Sequence, residues 1–257
     1  MRCALIVGID KYKRSELDLN GCVNDAHDVF KALTRSKNYT EIVMLLNESA
    51  TKPAIVKNLT KMVRKLKRKD SLVYYHSGHG TQVIDKNSDE SDGLDEALVT
   101  HDFDIDDPFT DDVLKECLSK QPKKTFISLI FDTCHSGGFE MDIGEQKTTR
   151  SVILKESLTN KNANIRKLGV KANNPKTQRH LLLSGCKEQQ YSYEEENEGN
   201  IRGLMTFTLC KMFHANTKHR WSSAYPILKD TITKQTNSAQ VPQFIAPKRF
   251  MKRRVFA

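Results

Sequence analysis

The stretch that most constrains the fold runs from Thr125 to Gly138 and reads TFISLIFDTCHSGG. Its first half, 126–131, is a nearly continuous apolar run, which is typical of a strand buried on both faces inside a parallel sheet. The run then ends abruptly in Asp, Thr, Cys, His, Ser and two glycines. Open α/β folds place their sites at the carboxyl ends of their strands. We therefore expect reactive side chains, Cys134 among them, at the carboxyl edge of a parallel sheet.

Strands alternate with helices along the rest of the chain, which predicts right-handed crossovers and a mainly parallel sheet. The hydrophobic patterns predict strands at 3–8, 41–46, 71–75 and 180–186, and an edge strand at 240–245. They predict helices from Asn24 or Asp25 to Arg35, after Thr51, and at 110–117, 203–215 and 225–236. The acidic residues 85–108 are predicted to form a long loop, and the polar residues 140–179 a flexible linker within one sheet.

Composition excludes several classes of protein. No apolar run approaches the roughly 20 residues of a membrane span, and the N-terminal apolar run is too short for a signal peptide, so we expect no membrane partner. Six cysteines without a CxxC pair indicate reduced thiols in the cytoplasm and disfavour structural zinc. The net charge is +9, with basic runs at 61–69 and 248–254. Few aromatic residues accompany them, so we favour solvated surfaces over a nucleic-acid partner.

His79 and Cys134 form the constellation that suggests chemistry, because each follows a predicted buried strand. A cysteine nucleophile needs a base, since a free thiol has a pKa of about 8.5. The backbone N–H groups of Gly80 and Cys134 could form an oxyanion hole. His76 is a weaker candidate for the base. Taken singly, His79 could instead be a loop residue and Cys134 a small buried hydrophobe.

The segments around these two residues, 75–81 (YHSGHGT) and 132–138 (DTCHSGG), resemble the two catalytic boxes of metacaspases. Further matches lie at 4–10, 19–26, 92–97, 183–186 and 203–206. The resemblance is to the type I arrangement without a prodomain. It implies a caspase-like α/β fold, with a mainly parallel central sheet flanked by helices on both faces. It also implies a single domain, 1–257, with a p20-like part (1–139), a linker (140–179) and a p10-like part (180–257).

The activity implied by the resemblance is that of a monomeric cysteine endopeptidase, which cleaves polypeptides after Arg or Lys and processes itself in the linker. His79 would be the base, Cys134 the nucleophile and Gly80 an oxyanion donor. The substrate-binding residues would be Cys22, Asp25, Ser77 and Asp132. Alternation along the strands puts Ser77 on the side of His79 and Asp132 on that of Cys134, and two carboxylates suit a guanidinium or ammonium group.

Several alternatives remain at this stage. Asp25 could be a helix cap, and Asp132 a structural hydrogen-bond acceptor. The whole chain could be a catalytically silent scaffold that binds partners. It could also be a true caspase that cuts after Asp, although the carboxylate beside Cys134 opposes a pocket for an acidic side chain.

Acidic residues greatly outnumber basic ones between Asp85 and Asp112. The start of this segment imitates an EF-hand, but Glu90 replaces the required glycine and a strand precedes it, so we reject that motif. The resemblance implies calcium as an activator, held by Asp95, Asp111, Asp112 and Asp142. The alternative is a solvated loop in which Asp111 and Asp112 complement a helix dipole.

Overall fold

The computed structural model describes residues 1–84, 94–133, 179–187 and 190–256, and the backbone of the short strand at 148–149. The predictions for Cys134 and Asp142, and most of those for the 140–179 linker, lie outside the described residues.

The strands, in chain order, are β1 Arg2–Gly8, β2 Glu41–Leu46, β3 Ser71–Ser77, β4 Gly80–Ile84, β5 Leu94–Leu98, β6 Phe109–Thr110, β7 Phe126–Asp132, β8 Thr148–Thr149, β9 Leu181–Ser184, β10 Tyr193–Asn197, β11 Asn200–Gly203 and β12 Gln243–Ile245. The helices are α1 Cys22–Arg35, α2 Lys52–Lys65, α3 Asp111–Leu118, α4 Leu204–Ala215, α5 Trp221–Gln235 and α6 Lys248–Met251.

Six strands form the central sheet, in the order β12-β9-β7-β3-β1-β2. All neighbours are parallel except β12, which runs antiparallel to β9 at one edge. The predicted parallel sheet and its edge strand are therefore confirmed. Pro242 directly precedes β12, where its missing N–H costs the central sheet no hydrogen bond.

Helices cover both faces of this sheet, as the sequence predicted. On β1, Cys3, Leu5 and Val7 point into the core shared with α2 and α3, whereas Ala4 and Ile6 point into the core shared with α1, α4 and α5. All five side chains are fully buried. This two-sided burial explains why the strands read as continuous apolar runs. Within the described residues, no helix combines the length and the apolar character needed to cross a bilayer.

Two small antiparallel sheets differ from the predictions. β5 pairs with β4 and β6, so the prediction of a continuous loop over 85–108 is wrong and Asp95 lies on a strand. The strand was not predicted because its buried apolar residues, Ala97 and Leu98, follow a dense run of acidic residues. The hairpin of β10 and β11 was not predicted because its strands are largely polar. Its turn carries Glu198 and Gly199 with positive φ, the conformation of a tight hairpin turn.

The first residues of the helices were predicted correctly in some cases and wrongly in others. Thr51 and Thr110 accept the N–H groups of Ala54 and Val113, both at 3.4 Å. The predicted cap at Thr51 is therefore confirmed, and Thr110, predicted as the first helical residue, is the cap of α3. The prediction that α1 starts at Asn24 or Asp25 is wrong, because α1 begins at Cys22. Two carboxylates outside the helix, Asp10 and Glu194, take the place of a local cap and are described below.

Replacing Gly8 with alanine should destabilise the fold, because a Cβ there would lie 2.5 Å from the Cys22 carbonyl oxygen and 2.7 Å from the Ala26 Cβ. Helix α1 would have to move away from β1, at a cost of about 1–3 kcal/mol. Urea denaturation would measure this loss. The control is Gly199→Asn, since Gly199 has open space around it and asparagine tolerates its φ of +75°. Equal stability of the two variants would contradict the prediction.

Candidate active site

The register of three parallel strands builds the carboxyl edge of the sheet. Ser77 on β3 pairs with Gly8 on β1 and with Asp132 on β7. The predicted grouping of Ser77 and Asp132 is therefore observed as a direct cross-strand pair. His79 follows Ser77 by two residues, so it lies at this same edge of the sheet.

Asp25 reaches this edge from the first turn of α1. Its Oδ2 accepts the Ser77 hydroxyl at 2.9 Å, and its Oδ1 accepts the backbone N–H of Gly203 at 2.9 Å. The side chain is fully buried. Asp25 is therefore not a helix cap but a bridge between β3 and the segment that precedes α4.

Asp132 makes a similar bridge from β7. Its Oδ1 accepts the Ser192 hydroxyl at 2.6 Å, and its Oδ2 accepts the N–H and the hydroxyl of Thr206 at 3.0 and 2.7 Å. The alternative reading of Asp132 as a hydrogen-bond acceptor inside the fold is thus confirmed. This role does not exclude a second one, since Asp25 and Asp132 flank the same serine.

Glu194 is a residue of this region that sequence reasoning missed. Its Oε1 accepts the N–H of Gly21 at 2.9 Å and lies 3.5 Å from the Cys22 sulfur, and only 2% of its surface is exposed. The strand containing it reads as a solvated acidic run, so periodicity alone did not single it out. A third carboxylate thus lies beside the predicted pocket residue Cys22.

Asp10 completes the cap of α1. It accepts the N–H groups of Cys22 and Val23 at 2.7 and 3.2 Å, and so satisfies amides that have no partner within the helix. Asp10, Cys22 and Glu194 are the one group of three candidate metal ligands that lies within 4.8 Å in the described part of the chain. Because both carboxylates accept backbone N–H groups, we interpret the group as a helix cap stabilised by the helix dipole.

His79 is held by its backbone and by its ring. Its N–H donates to the Tyr12 hydroxyl at 2.9 Å, and its carbonyl accepts the N–H of Val99 at 3.0 Å. The ring Nε2 lies 2.9 Å from the Leu17 carbonyl oxygen. Since a carbonyl only accepts, Nε2 carries the proton and the lone pair of the neutral ring is on Nδ1. This is the tautomer in which Nδ1 can take a proton from a thiol.

His76, the weaker candidate for the base, lies elsewhere. Strand alternation puts it on the opposite face from Ser77, where it is fully buried and its Nδ1 lies 3.3 Å from the Tyr74 hydroxyl. The structure therefore separates His76 from the Asp25–Ser77–Asp132 group. Gly80 starts β4 directly after His79 and pairs with Leu98.

The predicted calcium ligands lie around the start of α3. Pairing of Ala97 with Thr110 brings β5 beside this helix start, and Asp95 and Asp111 are both buried. The Lys115 ammonium lies 3.0 Å from Asp111 and 2.7 Å from Asp112, and these carboxylates raise the pKa of Lys115 against the effect of its burial. The oxygen donors suit calcium, but a cation of the protein already contacts two of them.

The four predicted substrate-binding residues are shielded from solvent. They are Cys22, Asp25, Ser77 and Asp132. None has any exposed surface. The resemblance implied that these residues form a substrate pocket, whereas the structure buries all four side chains, with Asp25 bonded to Gly203 and Asp132 bonded to Ser192 and Thr206.

A model of the caspase domain family matches residues 1–251. The chain belongs to the caspase domain family. The resemblance to metacaspases is confirmed by metacaspase-1 of Candida glabrata, 34% identical over 59% of this chain, and metacaspase-7 of Arabidopsis thaliana, 35% identical over 57%. Metacaspase-1 of Yarrowia lipolytica is 27% identical over 95% of this chain. The chain covers 41%, 38% and 61% of these three relatives.

A solved structure of a Geobacter sulfurreducens protein shares the fold of this caspase-domain chain. The TM-score is 0.72 and the identity 22%, with 100% of this chain and 98% of the other covered. This likeness confirms the α/β fold class of the central sheet.

Replacing Tyr12 with phenylalanine should weaken the site, because it removes the acceptor of the His79 N–H. A buried donor left without an acceptor costs about 1–3 kcal/mol, and His79 would lose part of its support. We expect lower stability in urea and a lower kcat. The control is Tyr39→Phe, which removes a hydrogen bond to the Phe256 carbonyl far along the chain. An unchanged kcat in Tyr12→Phe would argue against a role for Tyr12 in positioning His79.

Proposed function

We propose that this caspase-domain protein is a calcium-stimulated cysteine endopeptidase that cleaves polypeptides after Arg or Lys. The observation that carries the proposal is the convergence of Asp25, Ser77 and Asp132 at the sheet edge where His79 lies. The strand register pairs Ser77 with Asp132, the Ser77 hydroxyl bonds Asp25, and the candidate base His79 follows Ser77 by two residues.

In the proposed mechanism, His79 Nδ1 takes the proton of the Cys134 thiol. The thiolate attacks the scissile carbonyl carbon, and the N–H groups of Gly80 and Cys134 stabilise the resulting oxyanion. The imidazolium then protonates the leaving amine, and the acyl-enzyme forms. Water, deprotonated by His79, hydrolyses that thioester and restores the free thiol. The bond between Nε2 and the Leu17 carbonyl keeps the ring in the required tautomer throughout.

The proposed specificity follows from the charges of the buried group. Asp25, Asp132 and Glu194 supply carboxylates, which suit a guanidinium or ammonium group and repel an acidic one. Their present donors are Ser77, Ser192, Thr206 and backbone N–H groups. A substrate cation would replace some of these donors. Substrate binding therefore requires opening between the sheet edge and the start of α4.

The central test compares fluorogenic peptides that end in Arg, Lys or Asp before the reporter. With calcium present, we expect Arg and Lys peptides to be cleaved at least 100-fold faster than the Asp peptide, and no turnover with Cys134→Ala or His79→Ala. Equal rates for the native protein and Cys134→Ala would instead favour a catalytically silent scaffold. Preference for the Asp peptide would favour a true caspase.

We propose that calcium binds through Asp95, Asp111 and Asp112, with Asp142 as a further candidate. There it would neutralise carboxylates and hold β5 against the start of α3. Calcium must first displace the Lys115 ammonium from Asp111 and Asp112. The bound ion and the lysine therefore compete for the same oxygens.

Replacing Lys115 with methionine should tighten calcium binding about 5-fold, because calcium no longer displaces a positive charge whose two partly exposed ion pairs are together worth about 1 kcal/mol. Titration calorimetry on the Cys134→Ala protein would measure the affinity without interference from cleavage. Lys120→Met, on an exposed residue just beyond α3, is the matched control. We expect Asp111→Asn to abolish binding. Equal affinities for Lys115→Met and the control would contradict the competition.

The same proposal includes self-cleavage, a monomeric state and a reducing compartment. Self-cleavage is expected in the 140–179 linker, which contains the candidate sites Lys147, Arg150, Lys155, Lys161, Arg166 and Lys167. Intact-mass measurement during the calcium assay would reveal it.

A monomer is expected because the edge strand β12 has only three residues and follows a proline, so it is a poor template for pairing. A reducing compartment such as the cytoplasm is expected because the five described cysteines are free thiols.

A further inference from the structure

The opposite edge of the central sheet carries a cavity of about 510 Å³. Its lining comes from the turns that precede β3, β7 and β9, and from α6. It therefore lies where the parallel strands begin, about 20 Å from the carboxyl edge, since β3 and β7 are seven residues long. We call it the basic pocket, defined by the side chains that it brings together: Arg68, Lys69, Lys123, Lys124, Arg179 and Arg249.

The positive charge of the basic pocket has no counter-charge in its lining, which contains no Asp or Glu. None of the six cations takes part in an ion pair with another described residue. Asp70 directly follows Lys69 but is engaged by the N-terminal ammonium and by the N–H of Lys67. Like charges that converge without a partner repel one another, which favours binding of an anion.

The turns that present these cations are tied to one another. Lys69 and Lys124 both have positive φ, 74° and 65°, and the N–H of Lys69 donates to the Lys124 carbonyl at 3.0 Å. Arg249 donates to the Arg179 carbonyl at 2.6 Å, and Arg179 donates to the Gln121 carbonyl at 3.1 Å. Left-handed backbone in two lysines is unfavourable unless the surroundings impose it. The backbone of Lys69 and Lys124 and the two arginines are therefore fixed relative to one another, while all six cationic residues stay exposed to solvent.

Burial and the positive charges of the pocket lower the pKa values of His180 and Arg249. The pKa of His180 falls to about 4, mainly through burial and then through the positive charges of Arg179 and Arg249. Burial and the charge of Arg179 also lower the pKa of Arg249. A bound anion would offset these charges and shift both groups back toward their ordinary values.

We propose that the basic pocket binds a small polyanion that carries two or more phosphate groups. Arginine forks match phosphate oxygens bidentately, and six converging cations exceed what one phosphate neutralises. The volume lies within the usual range for small-ligand sites. The cations surround one compact, solvent-open hollow, which suits a compact ligand, whereas an extended nucleic acid requires a charged groove with aromatic side chains for stacking.

The test uses the full chain with Cys134→Ala, so that self-cleavage cannot interfere, and inorganic tripolyphosphate as the probe in titration calorimetry at fixed ionic strength. We expect Arg179→Gln/Arg249→Gln to weaken binding at least 10-fold. The charge-matched control is Lys218→Gln/Lys229→Gln, on exposed residues outside the pocket, which should bind like the parent. Because the two arginines also bond backbone groups, Lys123→Gln/Lys124→Gln provides a second double variant for the same comparison.

A second readout is the imidazole of His180, followed by NMR during pH titration. Tripolyphosphate should raise its pKa in the parent and not in Arg179→Gln/Arg249→Gln. Equal weakening in the pocket variants and the surface control would overturn the proposal, because binding would then report net charge alone. So would affinity no greater than for inorganic phosphate, or binding of a single-stranded RNA in place of tripolyphosphate.

Discussion

The pairing of Ser77 with Asp132 across two parallel strands is the constraint on which the rest of the site depends. The strands are buried on both faces by the two cores, so a slip of one residue would turn apolar side chains toward the wrong helices. The register is therefore tightly specified by burial. At the carboxyl edge the same register places Ser77 beside Asp132, directs its hydroxyl to Asp25, and positions the turn that carries His79.

Asp25 and Asp132 stabilise the fold through hydrogen bonds within the protein. Asp25 and Asp132 accept hydrogen bonds from Gly203, Thr206 and Ser192, all in the C-terminal segment 190–206. They thereby join that segment to the carboxyl edge formed by the N-terminal strands. Buried carboxylates are stable only when such donors surround them. If a substrate cation is to enter, it must take over some of these donors' roles, which links substrate recognition to the contact between that segment and the sheet edge.

The two edges of the sheet differ in charge. Carboxylates gather at the carboxyl edge, while the basic pocket lies at the other, with Arg253 stacked 3.9 Å over the Phe126 ring beside it. A further cavity of about 360 Å³ is lined by Arg2, Arg35, Arg253 and Arg254. The overall charge of +9 is thus distributed unevenly. Tertiary structure brings Arg68 and Lys69 of one basic run together with Arg249 of the other, and all three residues are exposed, as the sequence predicts for solvated surface.

The sequence by itself determined the parallel sheet, its helical layers, the cap at Thr51 and the grouping of Ser77 with Asp132. These features follow from short-range patterns: continuous apolar runs, helical periodicity and the alternation of side chains along a strand. Only the tertiary structure decided that Glu194 and Asp10 cap α1, that Asp95 lies on a strand and that the predicted substrate-binding residues are buried. Each of these depends on contacts between residues far apart in the chain, whose distances no local pattern encodes.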